Sequence, residues 1–395
     1  MNILVTNAKN RIAYNVVKSL SAKGHHVYCA DFVPRAMTYY SRYSSGYFIY
    51  PSPFSKQSAF VKCLINKIIE LKIDVLIPVY EELFLVSKHK ELFLNHVKMA
   101  IPDYEKILIA HNKDQWWRIA KQIGVPVPET FSVDQLKRNA SLIIQLEFPV
   151  LLKTKQGGGG WGIGQVDTFE DLIRILDAGT YHDLPLDRYI VQKKMQGETI
   201  CVAMVLSHGK LIGKTSYRQI REYPAFRGQA TCRVSVSNKA AEAFLQKILE
   251  FLQWHGVCQA DFIIEHKTGV PYLIDVNPRF WGSLSQAIAS GVDFPFLIAE
   301  ISIKEDVETV GFFLEGIQTR WLGGEIRGFV QNFTRSRKKI PFLKDFFFPK
   351  ITTKSFDDFS LKDPCPFIIW GIDSTLRSIR YRGNKPHDSL EGVWD

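Results

Sequence analysis

Asp261 and Asp275 stand seven positions either side of Thr268 in the run Gln259-Ala260-Asp261-Phe262-Ile263-Ile264-Glu265-His266-Lys267-Thr268-Gly269-Val270-Pro271-Tyr272-Leu273-Ile274-Asp275-Val276-Asn277. Both flanks alternate as strands do and the middle carries turn residues, so the run predicts a β-hairpin. Folded at Thr268, it opposes Asp261 to Asp275. On the other, apolar side it opposes Phe262 to Ile274 and Ile264 to Tyr272. Asn277 shares the face of Asp275, because strand side chains repeat every two residues. Like charges directly across a sheet repel. A divalent cation between them reverses the sign, and two carboxylates with an amide carbonyl are hard oxygen donors of the kind Mg²⁺ (or Mn²⁺) takes. The run predicts a metal-using enzyme with Asp261, Asp275 and Asn277 as ligands.

A second segment points to phosphate. Leu151-Leu152-Lys153-Thr154-Lys155-Gln156 runs into Gly157, Gly158, Gly159, Gly160, Trp161 and Gly162. An apolar strand delivers Lys153 to a loop almost without side chains, where consecutive backbone N–H groups can close over an anion that the lysine neutralises. In the P-loop the lysine follows the glycines and a helix comes next. Here the lysine precedes them and a strand follows, which predicts a flap between strands.

The elements that must carry these groups are legible in outline. With 395 residues, the chain has room for two or three domains of ~150 residues. Residues 3–7 predict a strand, 11–23 a helix ended by Gly24, 27–31 a strand, 75–79 a buried strand and a helix from Glu81, together a doubly wound α/β start. Its first turn, Asn7-Ala8-Lys9-Asn10-Arg11, lacks the G-x-G-x-x-G of a dinucleotide site. Glu81 and Glu82 stand where such domains face ligands, although acids at helix starts also answer the helix dipole. Residues 113–124 predict a helix, Val125-Pro126-Val127-Pro128 a linker, 168–177 a helix, 189–195, 199–206 and 210–217 strands, and 239–254 a long helix. His208 at a hairpin tip and His266 in the metal-hairpin turn read as solvent-facing turn residues. Beyond about 310, aromatic and basic residues mix, as in Ser336-Arg337-Lys338-Lys339-Ile340-Pro341-Phe342, which suits helices packed on the body with a solvated basic face, or a membrane-surface segment.

Composition excludes several classes. No apolar run reaches the roughly 18 residues of a membrane span, and Met1-Asn2-Ile3-Leu4-Val5 reads as a strand, not a leader. Six scattered cysteines with no CxxC pair suit reduced thiols, so the expected location is cytoplasmic. A net charge of +10 without an arginine-rich arm suits phosphate-bearing substrates, and no nucleic-acid partner is expected.

Taken in order, these parts resemble the ATP-grasp superfamily over roughly residues 1 to 300. The resemblance implies a mixed α/β and α+β chain: a doubly wound pre-ATP-grasp domain at 1–110, an ATP-grasp domain at 111–310 with a lid about 125–195 and a metal-binding core about 196–310, and a C-terminal extension at 311–395. It implies that Lys113 and Lys153 meet the phosphates of ATP, that Gly157 to Gly162 form the flap, and that Gln192-Lys193-Lys194-Met195 is a hinge whose backbone meets adenine. Glu198 then falls where a ribose-binding acid is expected, and Arg279 steadies the reacting phosphoryl or acyl-phosphate group. The chain departs from the family in having aspartate where glutamate is frequent among the ligands, Gln192 where an acid is frequent, and Trp161 inside the flap.

Residues 216–230 and 356–364 are similar to stretches in uncharacterised, predicted ATP-dependent carboligases, which are carbamoyl-phosphate synthetase large-chain-like. Arg218 and Arg221, in the first stretch, are candidates to grip a substrate carboxylate, since a guanidinium matches one bidentately; as surface arginines on a loop they are equally well explained. The expected activity is an ATP- and Mg²⁺-dependent ligase that joins a small-molecule carboxylate to an amine with release of ADP and phosphate. A homodimer is compatible with it. The alternatives are a bicarbonate-using carboxylase or carbamoyl-phosphate-type enzyme, and a non-catalytic nucleotide-binding protein.

Overall fold

Ile3, Leu4, Val5, Val75 and Leu76 are completely buried, as strands covered on both faces must be. The computed structural model, which describes residues 1–139, 141–157, 162–224, 228–347 and 353–380, places them in a parallel sheet. Strands β1 (Asn2–Val5), β2 (His26–Asp31), β3 (Gly46–Ile49) and β4 (Val75–Ile77) run in the order β3-β2-β1-β4. Helix Arg11–Ala22 begins where the Asn10 side chain accepts from the Ile12 N–H, and buries Ile12, Val16, Val17 and Leu20, the positions its spacing predicts. It packs with Ile3 and Val5, while helix Gln57–Glu70 packs with Leu4 and Leu76 on the other face, so this sheet is doubly wound.

A second, antiparallel sheet follows. Strands β5 (Thr130–Ser132), β6 (Val150–Thr154), β7 (Ile163–Val166) and, after a two-residue pair β8 (Thr180–Tyr181) with β9 (Leu184–Pro185), β10 (Tyr189–Lys193) are ordered β5-β10-β6-β7. Helices Val133–Arg138 and Phe169–Ala178 close its own core around Leu152, Val166, Leu172 and Tyr189. This small sheet carries Lys153 and both flanks of the glycine run. Gly158, Gly159, Gly160 and Trp161 lie outside the described residues.

The large sheet holds the acidic hairpin. It comprises β11 (Gly197–Ser207), β12 (Lys210–Tyr223), β13 (Gln229–Ser235), β14 (Gly256–Glu265), β15 (Pro271–Asn277), β16 (Gln318–Arg320) and β17 (Thr353–Phe356), in the order β15-β14-β11-β12-β13-β16-β17. Ile200, Val202, Met204, Ala260, Phe262 and Leu273 face helix Lys239–Phe251 and Trp116. Cys201, Ala203, Val205 and Tyr217 face the N-terminal domain and helix Phe294–Ile303.

Two expectations change here. The region beyond 310 does more than pack helices on the body: β16 and β17 extend the large sheet, and helices Leu322–Arg335, Lys339–Phe347 and Cys365–Arg380 accompany them. Among the described residues no helix is long and apolar enough to cross a membrane. In the hairpin, Phe262 pairs with Leu273 and Ile264 with Pro271, not with Ile274 and Tyr272, because the register shifts beside Asp261. Ile274 is the extra residue of a β-bulge, which lets the tight turn and the Asp261–Asp275 pairing coexist.

Asp357, fully buried, ties the parts together. Its carboxylate accepts from Arg233 of β13 and from Ser285, and lies 3.4 Å from Nε of Arg11 in the N-terminal domain; its carbonyl accepts from Asn15 at 2.7 Å. Next to it, Asp358 caps helix Leu322–Arg335 by accepting from the N–H groups of Leu322 (3.1 Å) and Gly323 (2.9 Å). Asp363 accepts from Ser41 Oγ at 2.6 Å and from the Arg42 N–H at 3.1 Å. The stretch 356–364 is thus a clasp. Removing one partner of a buried ion pair strands the others. Asp357→Ala is expected to lower unfolding free energy by about 3–5 kcal/mol in denaturant titration, against less than about 0.5 kcal/mol for the exposed change Lys210→Ala.

Candidate active site

Alternation along β14 and β15 builds a polar patch on one face of the large sheet. Strand pairing sets Tyr217, Cys201, Asp261 and Asp275 in one row across four strands, and Ala203, Gln259 and Asn277 in the next. The two aspartates are direct partners, as predicted. Gln259 was not singled out from the sequence, yet it organises the patch: its Nε2 donates to Asp261 Oδ1 at 2.7 Å, and its Oε1 accepts from Asn277 Nδ2 at 2.8 Å. Its signal was positional, two residues before Asp261 on the same face. The Asn277 amide, having given its N–H to Gln259, keeps its carbonyl oxygen as an acceptor.

Burial, and then the neighbouring Asp275, push the Asp261 carboxyl up to about 6; hydrogen bonds from Cys201 and Gln259 and the charge of Lys153 act the other way. Burial and Asp261 together hold the Cys201 thiol well above its ordinary range, so it stays protonated beside the carboxylates. The pair is a site of excess negative charge.

Two lysines answer it from separate elements. Lys113 opens helix Lys113–Gln122, where Asn112 accepts from the N–H groups of Asp114 and Gln115. From that position its N–H donates to Lys155 O at 2.7 Å, its Nζ donates to Gly157 O at 2.8 Å, and Nζ lies 3.3 Å from Asp275 Oδ1. It therefore bridges the base of the flap and the acidic hairpin. Lys153, buried on β6, is lowered to about 8, chiefly by burial, with Asp275 raising it and Lys113 lowering it further. His111 is pushed down to about 3 by burial, then by Lys113 and Arg279, so its imidazole is neutral near pH 7. Arg279 donates from Nη1 to Phe280 O at 3.0 Å and lies 4.1 Å over the Tyr80 ring, which comes from the turn after β4. An arginine stacked on a ring is held in orientation while most of its donors stay available.

Other expected site residues divide. Gln192 is buried, its Nε2 donates to Thr130 Oγ1 at 2.9 Å, and its strand pairs on both sides, so its side chain is engaged within the lid sheet. Lys193 donates its N–H to Glu129 O at 2.8 Å and turns its ammonium to Glu147, 2.5 Å away. Lys194, with Nζ donating to Gln165 Oε1 at 2.7 Å, and Met195 lie beyond the end of β10. Their backbone lies past the last strand pairing of β10. Glu198 is exposed on β11 with Arg218 Nη1 3.7 Å away, so these two form one polar spot. Arg221 departs from the expectation of a carboxylate grip: its guanidinium already meets Glu325, Nη2 to Oε2 at 2.7 Å, with both side chains nearly buried. It fastens β12 to helix Leu322–Arg335. Glu82 likewise faces inward, accepting from Asn7 Nδ2 and Tyr50 Oη at 2.9 Å each.

No cluster of three or more His, Cys, Asp or Glu side chains suited to a metal occurs among the described residues. The donors here are two carboxylates and one amide oxygen, too few to enclose a six-coordinate ion alone. They fit Mg²⁺, which keeps waters and completes its shell with substrate phosphates. The raised Asp261 carboxyl is the observation that fits such an ion.

Comparisons with known proteins bear on the fold that carries these residues. Residues 110–283 match the ATP-grasp domain family. The carbamoyl phosphate synthase large chain of Thermoanaerobacter sp. (strain X514) is 22% identical over 232 residues, covering 56% of this chain and 21% of that one. This chain thus spans about a fifth of that relative's length. The biotin carboxylase domain of Hydrogenobacter thermophilus 2-oxoglutarate carboxylase, solved as a dimer with MgADP, ADP and bicarbonate, superposes with a TM-score of 0.63 at 17% identity, over 80% of this chain and 72% of that one. An L-amino acid ligase from Bacillus licheniformis gives 0.60 at 15% identity, over 79% and 76%. The chain carries an ATP-grasp domain and is homologous to the carbamoyl phosphate synthase large chain.

A carboxyl whose folded value is raised stabilises the fold fully below its unfolded value near 4, and that contribution is lost as pH climbs through about 6. In chelator at pH 7, Asp261→Asn should therefore unfold at higher denaturant than the parent, by about 1–3 kcal/mol. The gain should vanish near pH 4.

Proposed function

We propose that this protein is an ATP- and Mg²⁺-dependent ligase that activates a small carboxylic acid as its acyl phosphate and passes the acyl group to an amine. The observation that carries the reading is the opposed pair Asp261–Asp275 with Lys113 and Lys153 converging on it from the helix and the lid. Bound between Asp261, Asp275 and Asn277, Mg²⁺ would neutralise the phosphate oxygens on which charge develops.

The remaining work falls to the chain. Lys113 and Lys153 offset the charge of the β- and γ-phosphates. Lys153, lowered to about 8, regains its full charge when a polyanion enters. A carboxylate oxygen of the acid attacks the γ-phosphorus, the bond to the β–γ bridging oxygen breaks, and ADP leaves. Arg279, held on Tyr80, steadies the acyl phosphate. The amine lone pair then attacks the acyl carbon, the carbon–oxygen bond to phosphate breaks, and phosphate and a proton are released. Gly157, whose carbonyl accepts from Lys113 Nζ, marks the base of the segment that would keep water from the acyl phosphate. Lys194 and Met195 offer backbone to the adenine edge, and Glu198 faces the ribose.

Bicarbonate as the activated acid is a second reading, favoured by the carboxylase and carbamoyl phosphate synthase among the similar proteins. One screen separates them: ADP release over carboxylic acids and amines, with and without bicarbonate, with mass detection of the product. The ligase reading expects ADP release that needs an acid and an amine, and a product heavier by their condensation. ADP release that needs bicarbonate alone selects the second reading. With the active pair in hand, Asp275→Asn and Lys153→Ala should each cut ADP release by about 100-fold or more, the usual scale for losing a charge-stabilising group.

A further inference from the structure

Outside the nucleotide site lies an open cleft of about 660 Å³ that joins all three parts of the chain. One wall is the first turn of the N-terminal domain, with Lys9 and Arg11. The others are Tyr223 at the end of β12 and the C-terminal helices, with Trp321, Arg327 and Trp370. Three cationic side chains thus line it beside the carboxylate of Asp373: Arg327, Lys9, whose ammonium lies 3.9 Å from the Phe32 ring centre, and Arg11, whose Nε also lies 3.4 Å from the buried Asp357. Its faces are aromatic, and each arginine lies on one: Arg11 is 3.9 Å from the Trp321 ring centre and Arg327 is 4.6 Å from that of Trp370.

A guanidinium stacked in this way keeps its donors in its own plane. Arg11 spends Nε on Gly282 O at 3.1 Å, with Asp357 Oδ2 3.4 Å from the same atom, and Nη2 on Gln229 Oε1 at 2.7 Å, which leaves Nη1. Gly282 permits this approach: a Cβ there would sit 2.4 Å from Nη2. Arg327 gives Nη2 to Ser374 Oγ. Two further glycines shape the indole walls, since a Cβ on Gly323 would fall 2.2 Å from the Trp370 ring and one on Gly324 2.3 Å from Trp321. The cleft also adjoins the reacting centre in sequence, because Gly282 is three residues after Arg279.

We propose that this cleft binds a planar, anionic small molecule, an aromatic or heteroaromatic ring bearing a carboxylate. The ring lies against the Arg11–Trp321 and Arg327–Trp370 stacks, and the carboxylate meets Lys9 and the remaining donors of the two arginines. That such a molecule is a substrate of the ligase rests on the function proposed above; that it binds does not. Planar rings stack on indoles and guanidinium planes, whereas a saturated ring of the same size gains only contact area. Charge and planarity are therefore both required.

The test is a ligand-observed NMR titration of the full chain with indole-3-carboxylate, indole-3-carboxamide and cyclohexanecarboxylate. Indole-3-carboxylate should bind about ten-fold more tightly than either of the others, which is about 1.4 kcal/mol for charge and for planarity alike. Arg327→Gln should remove the preference over the amide, and Trp370→Leu the preference over the saturated acid, while Trp370→Phe keeps most of it. ATP affinity, measured on each variant, should stay within about two-fold of the parent and so certifies the fold. Equal binding of the three probes, or variants that bind indole-3-carboxylate as the parent does, overturns the proposal. Probe binding as expected with no ADP release from any acid and amine leaves the cleft standing and removes the ligase; ADP release confined to aliphatic acids, with no probe bound, does the reverse.

Discussion

Two carboxylates held face to face on neighbouring strands are the constraint around which the site is organised. At the roughly 5 Å spacing of opposed side chains, two full charges repel by about 3 kcal/mol at an effective dielectric near 20. Burial is the larger cause, and with that repulsion it raises the Asp261 carboxyl to about 6. A fold indifferent to this pair would gain by replacing one member. Instead, the chain directs Lys113 from a helix start and Lys153 from the lid sheet toward the same point, and uses Gln259 to hold Asp261 and Asn277 in register. Neither lysine belongs to the sheet that carries the acids. The compensation therefore depends on how the lid sits over the core, and anything that binds between them acts on both.

The second organising element is the clasp at Asp357. It joins Arg11 and Asn15 of the N-terminal domain, Arg233 of the large sheet and Ser285 near the end of the acidic hairpin's exit loop. Through Asp358 it also starts the helix that carries Arg327. The C-terminal region is thus built into the body: it supplies two strands to the large sheet, and Trp321, Arg327 and Trp370 to the cleft that Lys9 and Arg11 also line. Arg221, pinned by Glu325, belongs to the same framework, and its charge is satisfied within it.

The hairpin was legible because period-two alternation and a turn are local signals, and local spacing alone opposes Asp261 to Asp275. The bulge at Ile274 was not legible, since one extra residue leaves no mark in an apolar strand. Lys153 before the glycines was readable for the same local reason. Gln259 was passed over because a neutral amide carries no chemistry until its partners are known. Arg221 misled because its partner Glu325 is 104 residues away. The short strands β16 and β17 escaped notice because three or four residues carry no period, and pairing across the sheet decides them. Asp357 was part of a stretch that stood out by resemblance, but its role as a link between distant arginines exists only in the folded chain.

The most direct measurement is a calorimetric titration of ATP into the protein, with Mg²⁺ and in chelator, for the parent and for Asp261→Asn/Asp275→Asn. If the opposed carboxylates exist to share a cation with the phosphates, Mg²⁺ should tighten ATP binding to the parent by about ten-fold or more and leave the double variant nearly unaffected. ATP binding that is equally tight with and without the metal in the parent, or equally metal-dependent in the variant, would contradict it.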